Sequence, residues 1–114
     1  MLKHKVVLVP FPFDDLSATK VRPAVCLTDA IGPHQHIVLA FFTSRLVSNP
    51  LATDIILDAT SGDFSVTGLR VSSTLQLHRL MTVSVALIQR ELGVLSPRLQ
   101  TEIDLRLRNL FELK

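Results

Sequence analysis

The chain has 114 residues, 47% of them hydrophobic, and a mean hydropathy of +0.39, values that exclude a disordered protein and fit one domain over residues 1–114. The formal net charge of +2 permits an anionic partner but does not by itself indicate nucleic-acid binding. High hydrophobicity in a small domain indicates that a partner covers part of the apolar surface, and we expect a homodimer.

The first residues and the cysteine content predict the cellular location. The opening apolar run, residues 6–9, ends at Pro10 and is far shorter than the roughly 7–15 residues of a signal-peptide core or the roughly 20 of a membrane span. Cys26 is the single cysteine, which favours a buried thiol in a reducing compartment. We therefore expect a cytoplasmic protein without membrane attachment.

Two predicted strands flank a polar loop near the N-terminus. Residues 6–9 and 24–27 are nearly continuous apolar runs of strand length, typical of strands buried on both faces. Pro10 and Pro12 lack an N–H group and fix φ, so they end the first strand and stiffen its exit.

The loop leads to a cation on a rigid element. Residues 14–17 include Asp and Ser, which favour turns, and we expect the loop over residues 11–20 to be mobile without a ligand. Arg22 stands directly before Pro23, which favours an extended conformation at the foot of the second strand.

A third strand ends in polar side chains. Residues 37–42 form the most apolar run of the chain and predict a central strand, followed by Thr43, Ser44 and Arg45. Two hydroxyls and a cation at the mouth of a buried strand are well placed to point into a groove, although they could also merely cap the turn.

The histidines are weak candidates for chemistry. His34 and His36 are spaced as a metal-binding pair, but no third ligand follows at a recognisable spacing, so we expect exposed loop histidines and no metal site. His78 could act as a general base, but on the wet face of a strand a histidine is more often simply exposed.

The second half of the chain predicts two further strands and a short helix. Residues 54–58 form a short strand bounded by carboxylates, which is typical of an edge strand. Residues 72–80 alternate between two faces, and a short helix is predicted over residues 81–87. The two faces are Ser73, Leu75 and Leu77 inward, and Thr74, Gln76 and His78 outward.

A terminal helix has the clearest signal. Ser96 is a suitable N-cap and Pro97 suits the first helical position, so a helix is predicted from there to about Leu113. Leu105 lies off the apolar stripe and is a candidate partner contact. The predicted stripe is Leu99, Ile103, Leu107, Leu110 and Phe111.

These elements predict a mainly β (α+β) protein: a small, strongly bent β-barrel with a C-terminal helix. The sequence has no phosphate-binding loop, no paired cysteine ligands and no Gly-rich dinucleotide turn, so we expect no cofactor. The remaining candidates for chemistry are cationic and hydroxyl side chains. The planar guanidinium of Arg22 suits a phosphate whose charge grows in a transition state. RNA supplies its own 2′-OH nucleophile, so a ribonuclease built from such groups can dispense with a metal.

Four segments resemble a known family. The run VVLVPFPFDDLSATKVRPAVCL, residues 6–27, resembles the opening of the MazF/PemK-type toxins of bacterial type II toxin–antitoxin systems, which carry a V-x-V-x-F-P-F-x-D-L…K-x-R-P-A-x-x-L pattern. One departure is His4-Lys5, where many members have Gly-Asp. The other similar segments are IVLAFFTSR (37–45), GLRVSSTLQLHRLMTVS (68–84) and LIQRELGVLSP (87–97).

The resemblance implies an SH3-like β-barrel of the PemK/CcdB toxin type and a metal-independent, sequence-specific endoribonuclease (mRNA interferase) that cuts single-stranded mRNA. The family's cleavage residues, the arginine of the R-P pair and the threonine that ends the central strand, match Arg22 and Thr43. The implied partners are single-stranded RNA, a second copy of the chain and a cognate antitoxin whose tail occupies the RNA groove. Four more residues are expected to contact phosphates: Lys20, Ser44, Arg45 and Ser73.

Two non-catalytic readings stay open at this point. The same barrel type serves a toxin that poisons DNA gyrase by protein contact alone, since a fold does not fix a function. A homologue that binds RNA or an antitoxin without cutting is the second, with the missing Gly-Asp as weak support.

Overall fold

The computed structural model describes residues 1–11 and 20–114. Most of the predicted mobile loop, residues 12–19, lies outside the described residues. Single turns of 3₁₀ helix cover Ser65–Thr67 and Val85–Leu87. The strands and the helix are β1 (Lys5–Pro10), β2 (Val21–Cys26), β3 (His36–Thr43), β4 (Asp54–Leu57), β5 (Ser73–Ser84), β6 (Arg90–Val94) and α1 (Pro97–Leu110).

The six strands of residues 1–11 and 20–114 belong to one curled antiparallel sheet in the order β4-β5-β3-β2-β1-β6. The predicted mainly β fold with a C-terminal helix is confirmed. Strand β3 lies inside the sheet and β4 at an edge, as the sequence predicts. No helix among the described residues is long and apolar enough to cross a membrane.

The predicted short helix over residues 81–87 is wrong for its first half. Residues 81–84 continue β5 and pair with residues 36–39 of β3, so the backbone groups that a helix would have used are bonded across the sheet. Only Val85–Leu87 turn, with the hydroxyl of Ser84 accepting a hydrogen bond from the Ala86 N–H (3.2 Å).

Both faces of the sheet are buried at its centre, which explains the continuous apolar runs. Val6 and Val25 pack in the cluster that includes Leu99 and Ile103 of α1. Val7 and Ala24, their neighbours in sequence, pack in a second cluster. The second cluster is Val7, Val9, Ala24, Cys26, Ile37, Leu39, Phe41 and Val83.

Strand β5 carries a large bulge opposite β3. The flanking pairs are Ala40 with Leu80 and Phe42 with Leu75. Phe41 alone therefore stands opposite residues 76–79, and such irregularities re-aim side chains locally. Gln76 and Arg79 lie in this bulge, and both reach the cleft described below.

Helix α1 begins as predicted. The Ser96 hydroxyl accepts a hydrogen bond from the Leu99 N–H (3.3 Å), and Pro97 occupies the first helical position. Leu99 and Ile103 are buried in the predicted stripe, and Leu105 is 56% exposed off the stripe, as expected.

The C-terminal end of the helix differs from the prediction. The helix ends at Leu110 rather than near residue 113. Glu112 has a positive φ of 54°, so the chain turns away there. Phe111 lies just beyond the last helical residue and is 56% exposed, so its predicted place in the buried stripe is wrong.

An acidic side chain in the connection between β4 and β5 fastens that connection to the first turn of α1. Asp63 accepts hydrogen bonds from the Ser61 hydroxyl (2.8 Å), the Ser96 hydroxyl (2.8 Å) and Nε of Arg98 (2.9 Å). These bonds, that from Arg98 above all, hold the pKa of Asp63 well below its usual range.

Two glycines allow the 3₁₀ turn to lie against β6. A Cβ added at Gly68, whose φ is +73°, would stand 2.2 Å from the carbonyl oxygen of Leu92. A Cβ at Gly93 would stand 2.2 Å from the carbonyl oxygen of Val66. This close approach fixes the start of the segment that runs from Gly68 to β5 and forms one wall of a cleft.

Candidate functional site

Two clefts meet at the ends of β2 and β3, and Arg22 and Phe42 line both. We call them the wide cleft, of about 570 Å³, and the narrow cleft, of about 390 Å³. The wide cleft is lined by Leu8, Lys20, Val21, Arg22, Pro23, Phe42, Ser44, Gly68, Leu69, Arg70, Val71, Ser73, Arg90 and Leu92. The narrow cleft is lined by Phe11, Arg22, Phe42, Thr43, Arg45, Val47, Gln76 and Arg79.

Arg22 is held by both its backbone and its side chain. It pairs with Val9 of β1 in the extended conformation that the following proline favours. Its guanidinium carbon lies 4.4 Å from the ring centroid of Phe11, and that of Arg79 lies 5.7 Å from the same centroid. The Phe11 ring in turn meets the Phe41 ring edge-on at 4.9 Å, so an aromatic pair anchored in the sheet supports two guanidinium groups.

Thr43 ends β3 and is half-buried in the narrow cleft. Its hydroxyl oxygen accepts a hydrogen bond from the Arg45 N–H (3.2 Å), which uses a lone pair and leaves the hydroxyl hydrogen able to donate to an anion. Thr74, its partner across the sheet, donates to the carbonyl of Arg45 (3.2 Å). The turn after β3 is therefore fixed by two threonine hydroxyls.

The structure brings all six sequence-predicted site residues to the two clefts. Arg22 lines both clefts; the wide cleft contains Lys20, Ser44 and Ser73, and the narrow cleft contains Thr43 and Arg45. Ser73 is 4% exposed and its hydroxyl donates to the carbonyl of Val71 (2.9 Å), so it offers little to a ligand.

Of two predictions for β5, the one for Thr74 is wrong and the one for His78 is confirmed. Thr74 was expected to face solvent, but it is fully buried because its hydroxyl reaches the turn after β3. His78 is exposed as expected, and its Nδ1 lies 2.9 Å from the Thr53 hydroxyl, away from both clefts.

Three arginines of the clefts were missed by sequence reasoning. Arg70 and Arg90 line the wide cleft, and Arg79 lines the narrow one. Leu8 of β1 pairs with Arg90 of β6 on one side and with Pro23 of β2 on the other. This pairing brings Arg90 near the R-P pair. Only the strand register reveals this proximity, because Arg90 is far from the R-P pair in the sequence.

Half of the positively charged side chains of the protein line the two clefts. Of the 12 Lys and Arg residues, six line the clefts. The described residues that line them include no Asp, Glu, His or Cys, and no group of three such residues suited to a metal occurs elsewhere in residues 1–11 and 20–114. The six cations are Lys20, Arg22, Arg45, Arg70, Arg79 and Arg90. A net charge of only +2 thus conceals a strongly cationic site suited to phosphate groups.

The fold and these clefts together describe a small β protein with half of its cations gathered at two adjoining clefts. The sequence profile of the PemK-like, MazF-like toxins of type II toxin–antitoxin systems matches residues 3–111. The chain therefore belongs to this toxin family, which confirms the resemblance found in its sequence.

Solved structures share the fold. The structure is similar to a Mycobacterium tuberculosis toxin, MazF-mt6, with a TM-score of 0.73 and 22% identity over 96% of this chain and 98% of that chain. It is also similar to a mycobacterial endoribonuclease in complex with its cognate antitoxin, with a TM-score of 0.71 and 12% identity over 100% and 97% of the two chains. A mycobacterial endoribonuclease gives a TM-score of 0.68 and 14% identity over 99% and 92%. No curated protein sequence matches the chain.

Proposed function

We propose that this toxin is a metal-independent, sequence-specific endoribonuclease that cuts single-stranded mRNA. One observation carries the proposal: the guanidinium of Arg22 stands where two cationic clefts meet, and one of them also holds the Thr43 hydroxyl. A strand that passes from one cleft into the other places one phosphate at Arg22. Structural relatives described as endoribonucleases support this activity.

The reaction is transesterification by the RNA itself. The 2′-oxygen attacks the adjacent phosphorus, the bond from phosphorus to the 5′-oxygen breaks, the 2′-OH proton passes to solvent and the leaving oxygen takes up a proton. Arg22 donates two parallel hydrogen bonds to the phosphate oxygens as their charge grows, and Thr43 donates a third. Neither group needs to change its protonation state.

The other cleft residues bind the strand on either side. Lys20 and Ser44 contact phosphates in the wide cleft, and Arg45 does so in the narrow cleft. Ser73, predicted as a phosphate contact, is assigned the lesser role of shaping the wall, since its hydroxyl is bonded to the Val71 carbonyl.

The proposal includes two protein partners and a cellular location. A cognate antitoxin would block the clefts, as supported by the relative that is solved with its own antitoxin. A second copy of the chain would cover exposed apolar side chains such as Leu105, so sedimentation at micromolar concentration should give twice the 12.6 kDa chain mass. Residues 1–114 act as one toxin domain in the cytoplasm, where Cys26 stays reduced.

The test is cleavage of a long single-stranded RNA with the product ends identified. We expect cleavage to persist in EDTA, because the described cleft residues offer phosphate donors rather than metal ligands. The products should carry a 2′,3′-cyclic phosphate, and a 2′-deoxy substitution at the scissile nucleotide should abolish cleavage at that position. Absence of any cleavage by the free toxin would favour a non-catalytic binder of RNA, of an antitoxin or of gyrase.

A further inference from the structure

We propose that Asp54 is a positioning residue for cleavage: its buried carboxylate fixes the side-chain amide of Gln76, so that the amide oxygen faces the narrow cleft and accepts the hydrogen of the attacking 2′-OH. This inference rests on the proposed function and extends it, because Arg22 and Thr43 act on the phosphate and leave the nucleophile without a partner. Neither Asp54 nor Gln76 is among the six sequence-predicted site residues.

Asp54 has a buried carboxylate oxygen without a hydrogen bond. The residue begins β4 and is 5% exposed. Its Oδ2 accepts a hydrogen bond from the Leu51 N–H (2.9 Å), whereas Oδ1 has no hydrogen-bond partner among the described residues. Buried polar atoms are nearly always hydrogen-bonded, because leaving one unpaired costs free energy. A donor is therefore expected next to Oδ1.

Strand register puts the side chain of Gln76 beside that of Asp54. The two residues pair across β4 and β5, and directly opposite residues project to the same face with Cβ atoms about 4.5–5.5 Å apart. The neighbouring pair, Ile55 and Leu75, packs on the other face in the cluster that includes residues of α1. Gln76 is half-buried and lines the narrow cleft, which Asp54 does not reach. The amide thus lies between the carboxylate and the cleft.

Gln76 supplies an acceptor for the nucleophile. A 2′-OH gives up its hydrogen as it attacks, and the guanidinium groups of Arg22, Arg45 and Arg79 in the narrow cleft can only donate. The Thr43 hydroxyl accepts from the Arg45 N–H (3.2 Å), and its hydrogen is assigned to the phosphate. Among the described lining residues, Oε1 of Gln76 is the side-chain acceptor that remains for the 2′-OH.

Asp54 determines which end of the amide faces the cleft. A half-turn of the amide exchanges its NH₂ donor and its oxygen acceptor, which have nearly the same shape. A carboxylate oxygen only accepts, so Oδ1 of Asp54 takes a hydrogen bond from Nε2 of Gln76 and leaves Oε1 toward the cleft.

Asp54 itself is too distant to touch the RNA at Thr43. Neighbouring strands lie about 4.8 Å apart, and β5 separates β4 from β3, so the two residues stand on strands roughly 10 Å apart. The bonds made and broken in cleavage are unchanged, and the 2′-OH proton still passes to solvent. The contribution of Asp54 is the orientation of Gln76.

Exchanging the two functional groups tests this arrangement. Asp54→Asn keeps the shape but offers an N–H donor, which draws the Gln76 amide oxygen away from the cleft. Adding Gln76→Glu to that variant restores an acceptor, because the new amide donates to one carboxylate oxygen and the other faces the cleft. Gln76→Met removes the amide at similar length. The controls are Asp104→Asn and Gln89→Met, at exposed positions outside both clefts.

The readout is single-turnover cleavage of a long single-stranded RNA at saturating protein. We expect Asp54→Asn and Gln76→Met each to slow cleavage about 2- to 13-fold, the range for one neutral hydrogen bond. The double variant Asp54→Asn/Gln76→Glu should recover most of the rate. Gln76→Glu alone should stay slow, because two carboxylates then face each other. Both controls should cut like wild type.

A binding measurement separates orientation of the nucleophile from distortion of the cleft. A fluorescent oligonucleotide that spans a mapped cut site, with a 2′-deoxy scissile nucleotide, lacks the hydroxyl that Gln76 contacts. Asp54→Asn and Gln76→Met should therefore bind it as tightly as wild type while cutting the long RNA more slowly. Circular dichroism and urea unfolding first establish that each variant is folded.

Three results would overturn the inference while wild type still cuts RNA. They are wild-type rates for folded Asp54→Asn and Gln76→Met, a double variant no faster than Asp54→Asn, and binding of the 2′-deoxy oligonucleotide that falls together with the rate. If Asp54→Asn does not fold, the Gln76 variants still decide, since a wild-type rate for either contradicts the inference. A wild-type protein that does not cut RNA would overturn the proposed function as well, and so is distinguishable.

Discussion

Arg22 and Phe11 form a cation–π pair, with the guanidinium carbon 4.4 Å from the ring centroid. The two residues lie on either side of residues 12–19, and the backbone N–H of Phe11 donates to the carbonyl of Lys20 (2.9 Å). Phe11 also packs on Phe41 from β3. The ring therefore supports the guanidinium that we assign to the scissile phosphate and aligns it with the central strand.

Phe11→Leu should slow cleavage by positioning Arg22 less well. A cation–π pair contributes about 0.5–2 kcal/mol, so we expect kcat to fall about 2- to 30-fold with a smaller change in KM. Phe11→Tyr keeps the aromatic face and should restore most of the rate. Equal kcat values for the leucine variant and wild type, both folded by circular dichroism, would show that the ring does not position Arg22.

Gly68→Ala should destabilise the protein because of both strain and a steric clash. A left-handed backbone costs a non-glycine residue roughly 1–2 kcal/mol, and the added Cβ would also meet the Leu92 carbonyl oxygen at 2.2 Å. Gly32 has the same φ of +73° with open space around its Cβ, so Gly32→Ala isolates the strain. Urea unfolding should rank the free energy of unfolding as wild type, then Gly32→Ala, then Gly68→Ala. A Gly68→Ala variant as stable as Gly32→Ala would mean that the turn can move away from β6.

Asp63→Asn should lower stability at neutral pH more than at acid pH. The folded-state pKa of Asp63 is depressed, chiefly by Arg98, so its contribution is present above the unfolded-state pKa of about 3.9 and is lost as pH falls through the folded-state pKa. Urea unfolding of wild type and variant at pH 7 and pH 3 measures this, and the difference between them should shrink at pH 3. Asp104→Asn, an exposed site on α1, is a control for removing a carboxylate. If the difference in free energy of unfolding between wild type and Asp63→Asn is the same at pH 7 and pH 3, Asp63 does not contribute to the acid sensitivity.

Cys26 should be inert to thiol reagents in the folded protein. Burial raises the pKa of its thiol to about 11, and the side chain is fully buried in β2. We expect modification by a disulfide reagent at pH 8 to proceed no faster than unfolding, and to become rapid in denaturing urea. Fast labelling in native buffer would show that β2 opens locally.

The sequence predicts an element correctly where the signal for that element is local. Ser96 and Pro97 specify a helix start through local chemistry alone, and the structure has the helix starting there. Residues 81–84 were assigned wrongly because their place in β5 depends on pairing with β3, which no local pattern encodes. Thr74 was misplaced for the same reason, since its burial depends on the distant turn at Arg45.

The candidate site was predictable where residues cluster in sequence. Arg22 stands in the R-P pair and Thr43 ends an apolar strand, so the sequence predicts both as site residues, and both line the clefts. Arg79 reaches the narrow cleft through the bulge of β5, and Arg90 reaches the wide cleft through pairing of β6 with β1. Such positions emerge only from strand register, which sets the neighbours of each side chain across the sheet.

We propose that Arg22 and Thr43 act on the phosphate of an in-line attack by the RNA 2′-OH, and single-turnover cleavage of a long single-stranded RNA measures their contribution. Arg22→Lys keeps the charge but loses the paired donors, and Thr43→Val keeps the shape but loses the hydroxyl. Each loss of a transition-state donor should slow the chemical step by roughly 10²–10³-fold, while Arg108→Lys, a matched change on α1, should cut like wild type. Circular dichroism first establishes that each variant is folded. Wild-type rates for both Arg22→Lys and Thr43→Val would contradict the catalytic assignment.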